Sequence, residues 1–83
     1  AGDEIRAEAY FKIADLLAGQ QKFDEALSIY KTIATEFPKA SFTEAALFRQ
    51  GQMYSRTGQV PQSLTAFQSL LTQFPDSDYG DAV

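Results

Sequence analysis

The side chains of this chain that could carry chemistry are few, and they are acids and tyrosines rather than histidines or cysteines. Asp24 and Glu25 are adjacent, so on a helix they diverge from any common target; helical neighbours lie three or four positions apart. Asp15 stands beside Ala14, Leu16 and Leu17, where burial would raise its pKa. Histidine is absent, which removes the usual general base near neutrality and the commonest metal ligand. Cysteine is absent too, so there is neither a disulfide framework nor a thiolate metal site. No glycine-rich phosphate loop, serine-nucleophile motif or metal-ligand spacing is found. Tyr10, Tyr30 and Tyr54 recur at spacings that suit helix packing. The residues therefore point to a chain that is not an enzyme and carries no cofactor and no metal.

What organises the chain is an internal repeat of 37 residues. Phe37-Pro38 recurs as Phe74-Pro75, and in the same register Ala9 falls on Ala46, Phe11 on Phe48, Leu27 on Leu64 and Ala45 on Ala82. Elsewhere the residue class is kept, as in Ile5/Phe42/Tyr79, Lys12/Arg49, Ala14/Gly51, Leu16/Met53 and Tyr30/Phe67. A period in this range marks stacked units, each burying its apolar face on the next. Such arrays present extended surfaces to partners.

Composition narrows the partners. The net charge is −4, which disfavours duplex nucleic acid and anionic membrane surfaces, since both bind through neutralisation of phosphate. No apolar run approaches the ~20 residues of a membrane span; the first residues show no basic-then-apolar signal pattern, which carries little weight in a chain expected to belong to a longer array. The charge is uneven. Residues 41–83 hold only Arg49 and Arg56 against four acids, and Val60 to Phe74 carries no charge at all. That segment reads as a solvated face of neutral polar residues or as a surface that docks on another protein.

Spacings of three and four place Ile5, Ala9, Ile13, Leu16 and Leu17 on one stripe of a helix over 4–19, with Gly19 as its stop. A second helix over 23–36 carries Phe23, Ala26, Leu27, Tyr30 and Ile33 and ends at Pro38. The short link Gln20-Gln21-Lys22 makes these two helices antiparallel neighbours. Ser41 and Glu44 can form a capping box that opens a third helix, which runs to about Thr57 and stops at Gly58. Pro61 suits the first turn of a fourth helix, which carries Leu64, Phe67, Leu70, Leu71 and Phe74. Asp78 aligns with Ser41 as the cap of a fifth helix, so the array is expected to continue beyond Val83. Ala1 stands in the register of Pro38, so a preceding unit is expected as well.

Taken together, the pattern resembles the tetratricopeptide repeat family. Tyr10, Ile13, Ala14 and Leu17 fill the first-helix positions of that motif, then Leu47, Gln50, Gly51 and Tyr54. The second-helix positions are Ala26, Tyr30, Ile33 and Pro38, then Ser63, Phe67, Leu70 and Pro75. Gln50 departs from the expected Leu and suggests a weaker contact or an exposed site. Gln21 stands where the inner turn usually has Gly. The added residues beyond the family's ~34-residue period lie at Ala40 to Thr43. The Phe-Pro-Lys-Ala-Ser-Phe-Thr-Glu-Ala stretch, echoed by Phe-Pro-Asp-Ser-Asp-Tyr-Gly-Asp-Ala, is similar to a bacterial cell-envelope subgroup that includes the periplasmic coordinator attached to the Tol–Pal system. That likeness favours the periplasm or cell envelope, and the sequence itself leaves the cytoplasm open.

The resemblance implies an all-α solenoid of helix-turn-helix repeats, with units at 4–40 and 41–77 and the start of a third at 78–83. It implies a concave wall made by the first helices. Carried over, that wall is Glu8, Phe11, Asp15 and Ala18, then Ala45, Phe48, Gln52, Ser55 and Arg56. Phe11 and Phe48 either anchor a bound peptide inside a polar rim or pack between adjacent first helices. Ile5, Phe42 and Tyr79 are expected to pack on a neighbouring repeat or act as hydrophobic staples. The function implied is a non-catalytic interaction module that binds a peptide or partner protein. The alternative is a segment that oligomerises its protein through exposed repeat ends or the uncharged fourth helix.

Overall fold

Short polar links break the chain into four helices. A computed structural model describes residues 2–81. It contains α1 (Asp3–Gly19), α2 (Phe23–Glu36), α3 (Phe42–Arg56), α4 (Val60–Gln73) and a single 3-10 turn, Asp78–Asp81. Ala1, Ala82 and Val83 lie outside the described residues, and with them the register positions assigned to Ala1 and Ala82. Each helix packs antiparallel on the next, α2 lies against both α1 and α3, and α1 approaches α3 directly. This is an all-α helical repeat stack.

The two inner turns close in the same way. The Lys22 N–H donates to the Leu17 carbonyl at 2.9 Å, and the Gln59 N–H to the Tyr54 carbonyl at 2.8 Å. Such a closure needs one left-handed residue just past the helix. It is Gly58 at φ 76° in one turn and Gln21 at φ 65° in the other. Gly19 is therefore the last helical residue of α1 and not the residue that turns the chain. After α2 and α4, the Phe37 and Phe74 N–H groups each bond back four residues, and the following prolines prevent continuation.

The core is built from small residues between large ones. Ala7, Ala14, Ala26, Tyr30, Ile33 and Ala46 are wholly buried. Gly51 lies so close to Phe67 that a Cβ there would sit 2.4 Å from the ring, and the Ser63 hydroxyl donates to the Gly51 carbonyl at 2.9 Å. The stripe expected on α1 is not buried: Ile5, Ala9 and Ile13 are exposed, and Leu16 is 64% exposed. Their counterparts on α3, Phe42, Ala46, Gln50 and Met53, are buried or half-buried. The reason is geometric. The α3 face packs into the core formed with α2, and the same face of α1 has no partner helix among the described residues. At the other end Leu64 is 56% exposed, where its counterpart Leu27 is buried. Gln50 is buried rather than exposed.

The capping box at Ser41 does not form. Ser41 makes no side-chain cap bond to its own helix. Its N–H and hydroxyl instead donate to the two carboxylate oxygens of Glu4, at 2.5 and 2.6 Å, across the joint between the helix pairs. Those bonds hold the Glu4 carboxyl below the ordinary glutamate range, the hydroxyl bond contributing most. Thr43, wholly buried, donates its hydroxyl to the Phe37 carbonyl and closes the link between α2 and α3.

Candidate interaction surface

The wall formed by α1 and α3 is underlain by two matching aromatic clusters. Phe11 meets Phe42 at 5.4 Å and Tyr30 at 5.7 Å between ring centroids. Phe48 meets Tyr79 at 4.5 Å and Phe67 at 5.8 Å. Such offset and edge contacts add to burial by about 0.5–1.5 kcal/mol per pair. Phe11 and Phe48 are half-buried, so the packing role and a partly open ring coexist at both positions. Phe42 and Tyr79 serve the inter-repeat contact expected of them, while Ile5 has no such contact and is exposed.

Above these rings the wall turns polar at one place. Asp15 accepts a hydrogen bond from the Tyr30 hydroxyl, which rises from α2 beneath the wall. Arg49, one position past Phe48 on α3, brings its Nε to 3.3 Å from Asp15 Oδ1. This contact is Coulombic rather than a hydrogen bond, since the buried Nε has no hydrogen-bond acceptor. The guanidinium lies 5.7 Å from the Phe11 ring centre, and its Nη1 donates to Gln52 Oε1 at 3.1 Å. Burial, followed by the bond to Asp15 and its negative charge, pushes the Tyr30 phenol well above its ordinary pKa; Arg49 opposes this in part.

Beside this network a cavity of about 460 Å³ opens between the ends of α1 and α3. Asp15 and Tyr30 stand on one side, and Arg49, Gln52 and Arg56 on the other. Arg56 lies over the Phe23 ring, 5.8 Å from its centre. Ala18 and Gly19 form the rim, and a Cβ at Gly19 would meet nothing within 4 Å.

Of the residues singled out from the sequence, Asp15, Gln52 and Arg56 meet at this cavity, with Phe11 under Arg49. Phe48 sits further along the wall beneath Tyr79, Ser55 is exposed, and Glu8 pairs with Lys12 at 3.2 Å along α1. Arg49, Tyr30 and Gly19 also line the cavity, although the repeat positions that define the wall do not include them. A signal for Arg49 was present: it and Arg56 are the only cations of residues 41–83, and seven positions is two helical turns, hence one face. Among the described residues no group of His, Cys, Asp or Glu could hold a metal, and no helix is long and apolar enough to cross a membrane.

The helix pairs, their matching turns and their shared aromatic positions define a class of helical repeat protein. The sequence profile of the tetratricopeptide repeat matches residues 8–40 and 45–77, two windows offset by the chain's own period. The chain belongs to the tetratricopeptide repeat family. No match to it is found among curated proteins or solved structures. Repeats of this family generally mediate contacts between proteins and are typically non-catalytic.

Proposed function

We propose that this segment is a non-catalytic interaction module that holds a peptide or partner protein on the α1–α3 wall. The observation that carries the reading is the open cavity on that wall, where Asp15, Gln52 and Arg56 converge beside the half-buried Phe23 ring. Polar groups held in fixed positions over apolar surface suit recognition of an extended chain. Repeat-stack walls of this kind present continuous binding surfaces. The likeness of the Phe37 to Ala45 stretch to cell-envelope members of the family supports a place for the protein in the bacterial envelope.

A photocrosslinking residue at Ser55, exposed on α3, tests the site against one at Ser28, exposed on α2. Adducts from Ser55 and not from Ser28 are expected in lysate of the source cell. Equal yields from both positions, or none from Ser55, would overturn the reading.

A second reading, self-association, is favoured by the exposed apolar faces of α1 and α4. Ile5, Ile13 and Leu16 repeat the α3 surface buried against α2, and Val60, Leu64 and Leu71 repeat the α2 surface buried against α3. The two faces are thus complementary in kind, and a second copy could pair them head to tail. Light scattering over a concentration series tests it: a mass that rises above 9.2 kDa and returns to it in Leu16→Glu supports self-association, and a constant monomer refutes it.

A further inference from the structure

The cavity at the end of the wall has a charge that the rest of the molecule does not. The chain carries −4 overall, yet both cations of residues 41–83 border this one opening. Arg49 is balanced by Asp15, whose Oδ1 also accepts the Tyr30 hydroxyl. Arg56 has no ion pair among the described residues. It is held over the Phe23 ring, so its guanidinium is oriented before any ligand arrives. An arginine prepared in this way presents its planar fork to a carboxylate at little entropic cost.

The repeat itself makes the room. Position 19 is the counterpart of position 56, and it is Gly19 where the second repeat has Arg56. Ala18 beside it is the counterpart of Ser55. Two small residues therefore stand opposite the unpaired cation, and the space in front of Gly19 is open. A long side chain here would have closed the cavity.

We propose that this cavity is the subsite that selects an acidic side chain, Asp or Glu, of a bound peptide, with Arg56 as the primary contact and Arg49 as a second, partly compensated one. The proposal rests on the interaction-module reading and adds the chemistry of one ligand position. Asp15 limits the subsite to a single carboxylate: a second would face Asp15 itself. An acidic run is excluded for the same reason, because the remaining surface is net negative.

The test uses the whole labelled chain and pools of random ten-residue peptides, acetylated and amidated, with Glu, Gln or Lys fixed at the centre. The readouts are the Nε–H signals of Arg49 and Arg56 and the backbone amides of α1 and α3. The Glu pool is expected to bind about tenfold more tightly than the Gln pool, and the Lys pool more weakly than either. Arg56→Gln should remove the Glu-over-Gln difference while leaving the α2 and α4 amides in place. Gly19→Glu, which puts a carboxylate beside Arg56 in the same molecule, should lower Glu-pool binding to the Gln level. Equal binding of the Glu and Gln pools with the wall amides still shifting would overturn the acidic subsite and leave the interaction module standing. No shift of the wall with any pool would overturn both. A Gln pool with a free C-terminus that binds as well as the Glu pool would assign the cavity to a chain end and overturn the side-chain assignment.

Discussion

Gly51→Ala should destabilise this protein although it replaces glycine by the best helix former in the middle of a helix. In an open helix the change would stabilise by about 0.8–1.0 kcal/mol. Here the new Cβ would lie 2.4, 2.5 and 2.7 Å from three carbons of the Phe67 ring. Real Cβ atoms do not approach so closely, so the ring must move. Phe67 also packs against Phe48, with ring centroids 5.8 Å apart, and the Ser63 bond to the Gly51 carbonyl ties α4 to α3 at this level. Overpacking of this kind costs about 1–3 kcal/mol, and disturbing the aromatic pair costs about 0.5–1.5 kcal/mol more. Set against the helix gain, a net loss of about 0.5–3.5 kcal/mol remains, at about 4–8 °C in Tm for each kcal/mol in a domain of this size. Urea unfolding followed by circular dichroism measures it. Repeating the substitution in a Phe67→Leu background isolates the cause: without the ring, the alanine should be neutral or stabilising, with a coupling energy of about 1 kcal/mol or more. A Gly51→Ala protein more stable than its parent would refute the close-contact argument, and equal losses in both backgrounds would place the cost elsewhere.

Further expectations concern the joint and the turns. Because Glu4 has a depressed pKa in the folded state, its bond to Ser41 adds stability above the ordinary glutamate pKa and loses that contribution as pH falls through the lower folded value. Tm measured from about pH 6 down to pH 2 should therefore fall less steeply in Ser41→Ala than in the parent; identical slopes would show that the bond is not made in solution. Gln21→Gly should stabilise by about 0.5–1 kcal/mol, since a left-handed non-glycine residue costs about 1–3 kcal/mol and the gain is partly offset by added freedom in the unfolded chain. A lower urea midpoint for Gln21→Gly would contradict the left-handed turn. Tyr30→Phe should destabilise by about 1 kcal/mol by removing a charge-assisted hydrogen bond from a partly solvated carboxylate, and it should also remove the loss of stability that the raised Tyr30 pKa predicts as pH climbs past 10. An unchanged alkaline limb in the variant would show that another group causes it.

The helices, their order and their turns were legible because each rests on local chemistry: prolines after Phe37 and Phe74, a glycine at 58, and apolar spacings of three and four. Burial was less legible. The α1 stripe and the α3 face have the same pattern, and only the position of α2 decides which one is covered. The capping box failed for a related reason. Glu44 is the local partner of Ser41, but Glu4 reaches the same donors from 37 positions away, and sequence-local reasoning cannot see that competitor. The wall residues were found in part by their repeat positions. Arg49 and Tyr30 do not stand out in the sequence, because Arg49 only keeps the class of Lys12 and Tyr30 has core-like spacing, and their role appears only when Asp15 lies between them.

The two repeats share Phe11/Phe48, Leu27/Leu64 and both Phe-Pro pairs, and they differ at the positions that line the cavity. Ala14 and Tyr30 of the first repeat become Gly51 and Phe67 in the second, so the phenol that holds Asp15 has no hydroxyl counterpart. Asp15 becomes Gln52, which accepts from Arg49 instead of opposing its charge. Gly19 becomes Arg56, so an empty place faces a free cation. Asp15 and Gly19 of α1, Tyr30 of α2, and Gln52 and Arg56 of α3 meet at one opening, and the Asp15–Arg49 contact beside it bridges the first repeat to the second. A ligand carboxylate drawn to Arg56 would add to that bridge, so binding at the cavity and the rigidity of the joint between the repeats should rise together.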